Sequence, residues 1–400
     1  MMQFLRLFRP ATAQRYTSYT TSTLRLHSVY ISSRFYTTKN HDRLKGPVSA
    51  GPSTMQAIKN TIAENLGNNV LGSHSLAPED QQFSLDQVPD LSGKVALVTG
   101  GSEGIGYGCT HTLLSHNVSK LFILSKSEDI ATDAINAITQ EMGKDKADRV
   151  EWVRCDLSDW EQTGKVAFKI SEKTDRLDIL INNAARGIMT YQLAKNGVDL
   201  HMAGNHMGHV VLTSHLLPLL KSTAEKGNTV RLVQLGSNAH EMAPKETKFE
   251  NLDELNTDYG PNAQYARSKL AAILYARYLD RHLHSQYANI LSNATHPGIV
   301  ETRQSAVHIH EAYPLAGYAM SVGAVPFKKD QFEGCVSTIF AATKTDKSGE
   351  YICPPAVVEP GSDKANDVQL GEQLMDLTLK IVKEKTSSSS VEKGCPFRES

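Results

Sequence analysis

From Lys94 onward, short runs of apolar and β-branched residues alternate with longer segments in which apolar residues recur at helical spacing. Two of the longer segments, Asp159–Lys173 and Tyr265–Leu283, show this spacing most clearly. The candidate strands are Val95–Thr99, Leu121–Leu124, Val150–Cys155, Ile179–Ile181, Val230–Leu235 and Ile290–Ala294. Because such alternation builds right-handed crossovers, the strands lie parallel and helices cover both faces of the sheet. The sequence therefore predicts an α/β fold with a single doubly wound parallel sheet.

The charges of the chain are balanced in number but unevenly distributed. Its 42 Lys and Arg residues against 43 Asp and Glu leave no basic surplus, which argues against a nucleic-acid partner. Residues 1–39 contain several arginines and many Ser and Thr residues but no acidic residue, which is the composition of an organelle transit peptide. An ordinary disordered tail is the alternative. We expect residues 1–39 to be a disordered transit peptide and the protein to be mitochondrial.

The rest of the chain divides by composition into four parts. Residues 40–92 are polar and turn-rich, which predicts an N-terminal arm, and residues 93–360 form the main domain. A C-terminal helix is expected within 361–386, and residues 387–400 form a disordered tail. No run of about 18 uninterrupted apolar residues is present, so we expect no transmembrane segment. The cysteines show no C-x-x-C spacing, which indicates reduced thiols.

A glycine-rich turn follows the first candidate strand and opens a helical segment. Its sequence is Thr99-Gly100-Gly101-Ser102-Glu103-Gly104-Ile105-Gly106. Glycine allows a sharp turn and lets backbone N–H groups approach a pyrophosphate at the helix N-terminus. A tight turn without a ligand is the alternative. We predict that a dinucleotide is bound here by Gly100, Ser102, Glu103, Gly104, Ile105 and Gly106.

Further motifs follow this turn in a fixed order. They are Asn182-Asn183-Ala184-Ala185, Asn205, Ser237, Tyr265-Ala266-Arg267-Ser268-Lys269 and Pro297-Gly298-Ile299-Val300-Glu301-Thr302. Over about residues 92–355 the set resembles the short-chain dehydrogenase/reductase family, and within it the retinol-dehydrogenase-like branch. The resemblance implies a Rossmann-type sheet of about seven strands and hydride transfer between a nicotinamide cofactor and an alcohol or carbonyl. Two departures are Ala185, where the family has glycine, and a longer separation from Ser237 to Tyr265, which implies a larger loop near the mouth.

Four residues of these motifs form the predicted catalytic set. Tyr265 and Lys269 are four positions apart on one helix and therefore share a face. A free tyrosine has a pKa of about 10, and we expect the ammonium and the positive nicotinamide ring to lower it until Tyr265 serves as general acid/base. Ser237 is expected to hold the substrate oxygen, Lys269 the cofactor ribose, and Asn205 a water that relays the proton.

The end of the second strand bears on the choice of cofactor. NAD enzymes usually place an acidic residue there, whereas here the strand ends at Ser125 and Lys126. Both can bind a 2′-phosphate, so NADP(H) is preferred and NAD(H) is less favoured, although Lys126 as a solvated lysine is the alternative. Asp156 and Leu157 are expected near the adenine, unless Asp156 only caps a helix. The expected cofactor-binding set is completed by Asn183, Tyr265, Lys269, Val300 and Thr302.

The expected substrate is a small molecule, a medium or large alcohol or carbonyl compound of hydrophobic character, because the segment after Thr302 is rich in apolar side chains. Core packing of those side chains is the alternative. His201, His206 and His209 lie close together but lack a further ligand pattern, so no metal site is predicted. The resemblance also allows a homodimer through the helices of the catalytic set, unless the arm or the C-terminal helix covers them. The alternative function is a catalytically silent nucleotide-binding protein with a structural or sensing role.

Overall fold

A single eight-stranded sheet lies at the centre of the computed structural model, which describes residues 83–298 and 330–386. The strands are β1 (Val95–Thr99), β2 (Lys120–Ser125), β3 (Val150–Arg154), β4 (Ile179–Asn182), β5 (Val230–Leu235), β6 (Ile290–Thr295), β7 (Tyr351–Cys353) and β8 (Val357–Glu359). Their order is β3-β2-β1-β4-β5-β6-β7-β8. The doubly wound α/β fold expected from the sequence is thereby confirmed.

The sheet has one strand more than expected, and that strand is not parallel. Strands β1 to β7 are parallel to their neighbours, but β8 pairs antiparallel with β7. Only residues 354–356 connect the two strands. A parallel pairing needs a crossover of about a dozen residues or more, so this connection forces the chain to return alongside itself.

Helices cover both faces of the sheet. They are α1 (Gly104–Ser115), α2 (Glu128–Met142), α3 (Lys144–Ala147), α4 (Trp160–Ser171), α5 (Gly208–Glu225), α6 (Leu252–Leu255), α7 (Pro261–Leu283), α8 (Gln331–Thr343) and α9 (Val368–Lys385). A π-helical segment, Met202–Met207, leads directly into α5. Short 3-10 turns occur at Leu85–Gln87, Asn238–Met242 and Lys364–Asn366.

The alternation of side chains along β1 sorts these helices into two layers. Val95 and Leu97 pack into one apolar cluster with residues of α4, α5 and α7. Ala96 and Val98 point the other way and pack into a second cluster with residues of α1, α2 and α8. Because both faces are covered, every residue of β1 is buried, which explains its uninterrupted apolar sequence.

Helix α9 adds a third layer outside α7. Leu374 and Ile381 of α9 share an apolar cluster with Leu270 and Leu274 of α7. At the same interface the Thr378 hydroxyl lies 2.9 Å from a ring nitrogen of His206, in the π-helical segment. A homodimer through this face of α7 would therefore require α9 to move away.

Several sequence predictions concern residues outside the described ranges. These are the transit peptide 1–39, residues 40–82 of the arm, Val300 and Thr302, and the tail 387–400. Within residues 83–298 and 330–386, no helix is long and apolar enough to cross a membrane. In the same ranges, no group of three or more His, Cys, Asp or Glu side chains is placed to hold a metal ion.

Candidate active site

A cavity of about 530 Å³ opens at the carboxyl ends of the parallel strands. It is lined by Gly100, Ser102, Glu103, Gly104, Ile105, Ser125, Lys126, Asp156, Leu157, Asn183, Asn205, Ser237, Tyr265 and Lys269, all of which were singled out from the sequence. Gly106 of the same turn was also predicted as a site residue, but it does not line the cavity. A cleft at this edge is where doubly wound sheets bind nucleotides, because the helices that follow the strands point their N-termini at it.

The glycine turn packs too closely to tolerate a side chain at one position. A Cβ on Gly106 would lie 2.1 Å from the carbonyl oxygen of Gly100 and 2.5 Å from Nδ2 of Asn183. Gly100 itself has φ +66°, a conformation that favours glycine. Because α1 begins at Gly104, the turn leaves the first backbone N–H groups of that helix facing the cavity, where they fit a dinucleotide pyrophosphate.

Replacing Gly106 with Ala should therefore abolish dinucleotide binding, or weaken it at least about 100-fold, because the turn must open to admit the methyl group. Isothermal titration with NADPH measures the effect. Gly371→Ala in α9 is the matched control, since the closest atom to its Cβ would be the far end of Arg281 at 3.2 Å, and Leu274 lies at ordinary contact distance. NADPH affinity in Gly106→Ala equal to that of Gly371→Ala would contradict the assignment of this turn.

A buried hydroxyl connects the turn to the neighbouring strand ends. Thr99 Oγ1 accepts hydrogen bonds from the backbone N–H groups of Asn183 and Ala184, each at 2.9 Å. The Asn183 amide in turn donates to the carbonyl oxygen of Thr99 at 2.8 Å. His209 Nδ1 contacts the carbonyl oxygen of Asn205, so this nitrogen carries the proton and Nε2 accepts from Thr99. These contacts fix the ends of β1 and β4 side by side.

The phenol and the serine hydroxyl of the predicted catalytic set meet in the cavity. Ser237 Oγ accepts the backbone N–H of Ala239 at 3.1 Å, which leaves its hydrogen free to be donated. Tyr265 and Ser237 are joined by a side-chain hydrogen bond that favours the phenolate, while burial of the phenol acts in the opposite direction. Burial dominates and raises the pKa of Tyr265 to about 12.

Lys269 lies under the phenol, but the two are not paired. Its Nζ donates to the carbonyl oxygen of Leu235 at 2.7 Å and stands 5.6 Å from the centre of the Tyr265 ring. Burial lowers the pKa of Lys269 to about 7. Among the residues of the chain alone, desolvation outweighs the hydrogen bond from Ser237, so the pKa of Tyr265 is raised. The expected lowering also involves the positive nicotinamide ring and stays a prediction.

Asn205 uses its side chain to hold the wall of the cavity. Its Oδ1 accepts the backbone N–H of Arg186 at 2.6 Å, and its Nδ2 donates to the Arg186 carbonyl oxygen and to Ser268 Oγ, each at 2.9 Å. Its own carbonyl oxygen accepts from His209. Arg186 was not predicted as a site residue, because nothing in its local sequence reveals this long-range pairing.

The other end of the cavity carries two serines and an ion pair. Ser102 Oγ and Ser125 Oγ are 2.8 Å apart, and Lys126 Nζ lies 3.0 Å from Asp156 Oδ1. Asp156 accepts from the backbone N–H and the hydroxyl of Ser158. The N-cap of α4 is Asp159, so capping that helix is not the role of Asp156. The Asp156 carboxylate and the donors of Ser102, Ser125 and Lys126 therefore lie at the same end of the cavity, where a cofactor ribose would meet them.

Three buried histidines near the cavity are held as neutral rings. Burial lowers the pKa of His206 to about 3 and those of His209 and His240 to about 4. Each ring has a different polar partner: Thr378, Thr99 and the backbone of Ser237 and Ser362, respectively. Because each ring has its own hydrogen-bond partner, we assign the three histidines a structural role.

These histidines predict a loss of stability in mild acid. Their pKa values are lower in the folded chain than in the unfolded chain, so the unfolded state binds more protons below about pH 6.5. The free energy of unfolding should fall from pH 7 to pH 5 by about 2 kcal/mol for each histidine. Urea unfolding at the two pH values measures it, and His206→Gln should remove about one third of the loss. Equal stability at pH 7 and pH 5 would contradict the buried neutral rings.

Comparison with known proteins gives a consistent picture. A family model described as short chain dehydrogenase matches residues 94–248. A protein of Neurospora crassa named as the mitochondrial oxidoreductase bli-4 is 54% identical over 368 residues, which cover 91% of this chain and 87% of the relative. Human polyprenol dehydrogenase is 32% identical over 263 residues, or 65% of this chain and 76% of that protein.

A solved structure shows the same fold at lower sequence similarity. It is a 3-oxoacyl (acyl-carrier-protein) reductase from Agrobacterium tumefaciens with NADP bound, which is 21% identical and superposes with a TM-score of 0.51 over 68% of this chain and 97% of that chain. At this identity the similarity concerns the fold alone. The Neurospora relative and the family model confirm the family inferred from the order of the motifs: the chain belongs to the short-chain dehydrogenase/reductase family.

Proposed function

We propose that this oxidoreductase transfers hydride between NADP(H) and an alcohol or carbonyl substrate, with Tyr265 as general acid/base. The observation that carries the proposal is the meeting of Tyr265, Ser237 and Lys269 in the cavity that also contains the glycine turn.

The proposed roles follow from the hydrogen-bond directions. The cofactor, when bound, supplies the hydride and the positive charge of its oxidised ring. Ser237 Oγ accepts from the backbone N–H of Ala239 and keeps its own hydrogen to donate to the substrate oxygen. Tyr265 is fully protonated at neutral pH because its pKa is raised, and it donates its proton to that oxygen during carbonyl reduction. Asn205 holds the wall beside them through Arg186.

Lys269 is proposed to bind the cofactor ribose and to promote the reverse reaction. Burial lowers the pKa of its ammonium to about 7, so the residues of the chain alone leave it only partly charged at neutral pH. Ribose hydroxyls at Nζ would give the ammonium acceptors in addition to the Leu235 carbonyl oxygen. A fully charged Lys269 and the oxidised ring would then both lower the pKa of Tyr265, as alcohol oxidation requires.

The preference for NADP(H) over NAD(H) rests on the other end of the cavity. Ser102, Ser125 and Lys126 offer donors to a 2′-phosphate, and no carboxylate stands at Ser125 to accept from a 2′-hydroxyl. The reductase from Agrobacterium binds NADP on the same fold. The proposed cofactor-binding residues are those predicted from the sequence, including Val300 and Thr302 outside the described residues.

The substrate is proposed to be hydrophobic. Met189 and Leu200 line the cavity together with Tyr265, so a substrate placed at the phenol has apolar side chains within reach. The name of the human relative, polyprenol dehydrogenase, is that of an enzyme for a long-chain alcohol. We also propose that residues 1–39 target the protein to mitochondria, as the name of the Neurospora relative states for that protein. A fluorescent fusion of residues 1–39 tests this.

The reaction is tested by a cofactor and substrate screen on the purified chain. Aldehydes, ketones and alcohols of increasing alkyl length are offered with NADPH, NADH or their oxidised forms, and the absorbance of the reduced cofactor is followed. We expect turnover with NADPH that improves with the length of the apolar group. Tight NADPH binding without turnover across the panel would favour the alternative of a catalytically silent nucleotide-binding protein.

A further inference from the structure

Trp152 contacts the cofactor end of the cavity from behind. It lies on β3 beside Ile123 of β2, in register with that strand, and its ring packs against the apolar cluster beneath the glycine turn. Its indole Nε1 donates to Ser125 Oγ at 2.9 Å, and Ser125 Oγ lies 2.8 Å from Ser102 Oγ. Trp152 itself does not line the cavity, whereas both serines do.

The chemistry of these three groups fixes the direction of their hydrogen bonds. An indole N–H can only donate, so Ser125 must accept from Trp152. The two serine hydroxyls have two hydrogens, of which one forms the bond between them. Whichever serine makes that bond, one hydroxyl hydrogen remains to be donated to a ligand. Trp152 uses one of the two lone pairs of Ser125, and Ser102 uses the other when it is the serine that donates.

We propose that Trp152 is a positioning residue for cofactor selectivity. By taking one of the two lone pairs of Ser125, it reduces what the serine pair can accept and leaves the free hydrogen to be donated, and a donor matches a 2′-phosphate, which only accepts, better than a 2′-hydroxyl, which also has a hydrogen to give. Trp152 acts through Ser125 and does not contact the cofactor. This inference rests on the NADP(H) preference proposed above and names a residue that sets it.

The competing explanation is that the charge of Lys126 alone selects the phosphate. Its Nζ is already paired with Asp156 at 3.0 Å, and its side chain is 67% exposed. A charge that is shared with a carboxylate and screened by water discriminates weakly. The half-buried serine pair is less exposed to solvent, so its donors contribute more to the discrimination.

A double-mutant cycle on the full chain tests the inference. NADPH and NADH are titrated calorimetrically into the wild type, Trp152→Phe, Ser125→Ala and the double variant. We expect Trp152→Phe to weaken NADPH binding about tenfold and NADH binding by less than about twofold. Trp152→Phe should have no further effect once Ser125 is alanine, because the tryptophan acts through that hydroxyl. Trp160→Phe is the matched control, since Trp160 donates to the Ala203 carbonyl oxygen and should leave the ratio of the two affinities unchanged.

Three results would overturn the inference. Equal weakening of NADPH and NADH in Trp152→Phe would give the ring a purely structural role, and unchanged affinities would make the hydrogen bond irrelevant. A further loss in the double variant would show an effect that bypasses Ser125. Failure of the proposed cofactor preference is seen separately, as a wild-type protein that binds NADH as tightly as NADPH.

Discussion

Replacing Tyr265 with Phe is expected to lower kcat about 1000-fold while NADPH still binds. The substitution keeps the ring and removes only the hydroxyl that is hydrogen-bonded to Ser237. Without it, no group in place can give the substrate oxygen a proton. Ser237 can still donate a hydrogen bond to that oxygen, but a serine hydroxyl is a weaker acid than a phenol. kcat is measured from NADPH absorbance with the best carbonyl of the panel, and NADPH affinity by calorimetry.

Tyr287→Phe is the matched control for this substitution. It also removes one phenolic hydroxyl, but that hydroxyl donates to Glu225 at 3.1 Å in an exposed position remote from the cavity lining. Its kcat should stay within about twofold of the wild type. A Tyr265→Phe protein with nearly normal kcat would remove Tyr265 from the mechanism. Loss of NADPH binding in that protein would instead make the hydroxyl a cofactor-binding group.

The largest loss of stability is expected for Arg267→Ala, at about 3–5 kcal/mol. Arg267 is 1% exposed, and its guanidinium pairs with Glu254 at 2.7 Å and donates to the carbonyl oxygen of Leu255 at 3.1 Å. Alanine would remove the cation that pairs with the Glu254 carboxylate and the side-chain donor to the Leu255 carbonyl oxygen, and it would create a cavity. The melting temperature should fall by roughly 10 °C, which thermal unfolding followed by circular dichroism measures.

An exposed ion pair provides the comparison. Lys144 and Asp148 are joined at 2.5 Å, but their side chains are 77% and 60% exposed. Lys144→Ala should change the free energy of unfolding by less than about 1 kcal/mol, because water replaces the lost partner. If the two variants melt at the same temperature, burial of the Arg267 pair does not contribute as argued.

Arg267 also connects α7, the helix that contains Tyr265 and Lys269, to the long segment between Ser237 and Tyr265. That segment contains α6. Arg267 donates hydrogen bonds to the backbone carbonyl oxygens of Glu254 and Leu255 in this short helix. The larger loop therefore has a fixed attachment two residues from Tyr265. From the sequence, Arg267 was only the central residue of the Y-x-x-x-K motif, and its burial was not foreseeable.

The predicted strands show how much local pattern can reveal. The bounds of β1 and β5 match the prediction. The predicted β2 is one residue short at each end, and β3, β4 and β6 each differ from the prediction by one residue at the C-terminal end. β1, β2 and β4 are almost completely buried, so their apolar runs are nearly continuous. Strands β7 and β8 were not among the candidate strands, because each is only three residues long.

The sequence by itself determined the sheet, the glycine turn and the helical spacing of Tyr265 and Lys269, because each depends on residues close together along the chain. The tertiary structure decided what surrounds them: the raised pKa of Tyr265 and the contact of Trp152 with Ser125. Desolvation and the direction of a hydrogen bond depend on which distant side chains fill the space around a group. That arrangement exists only once the layers of the fold have packed.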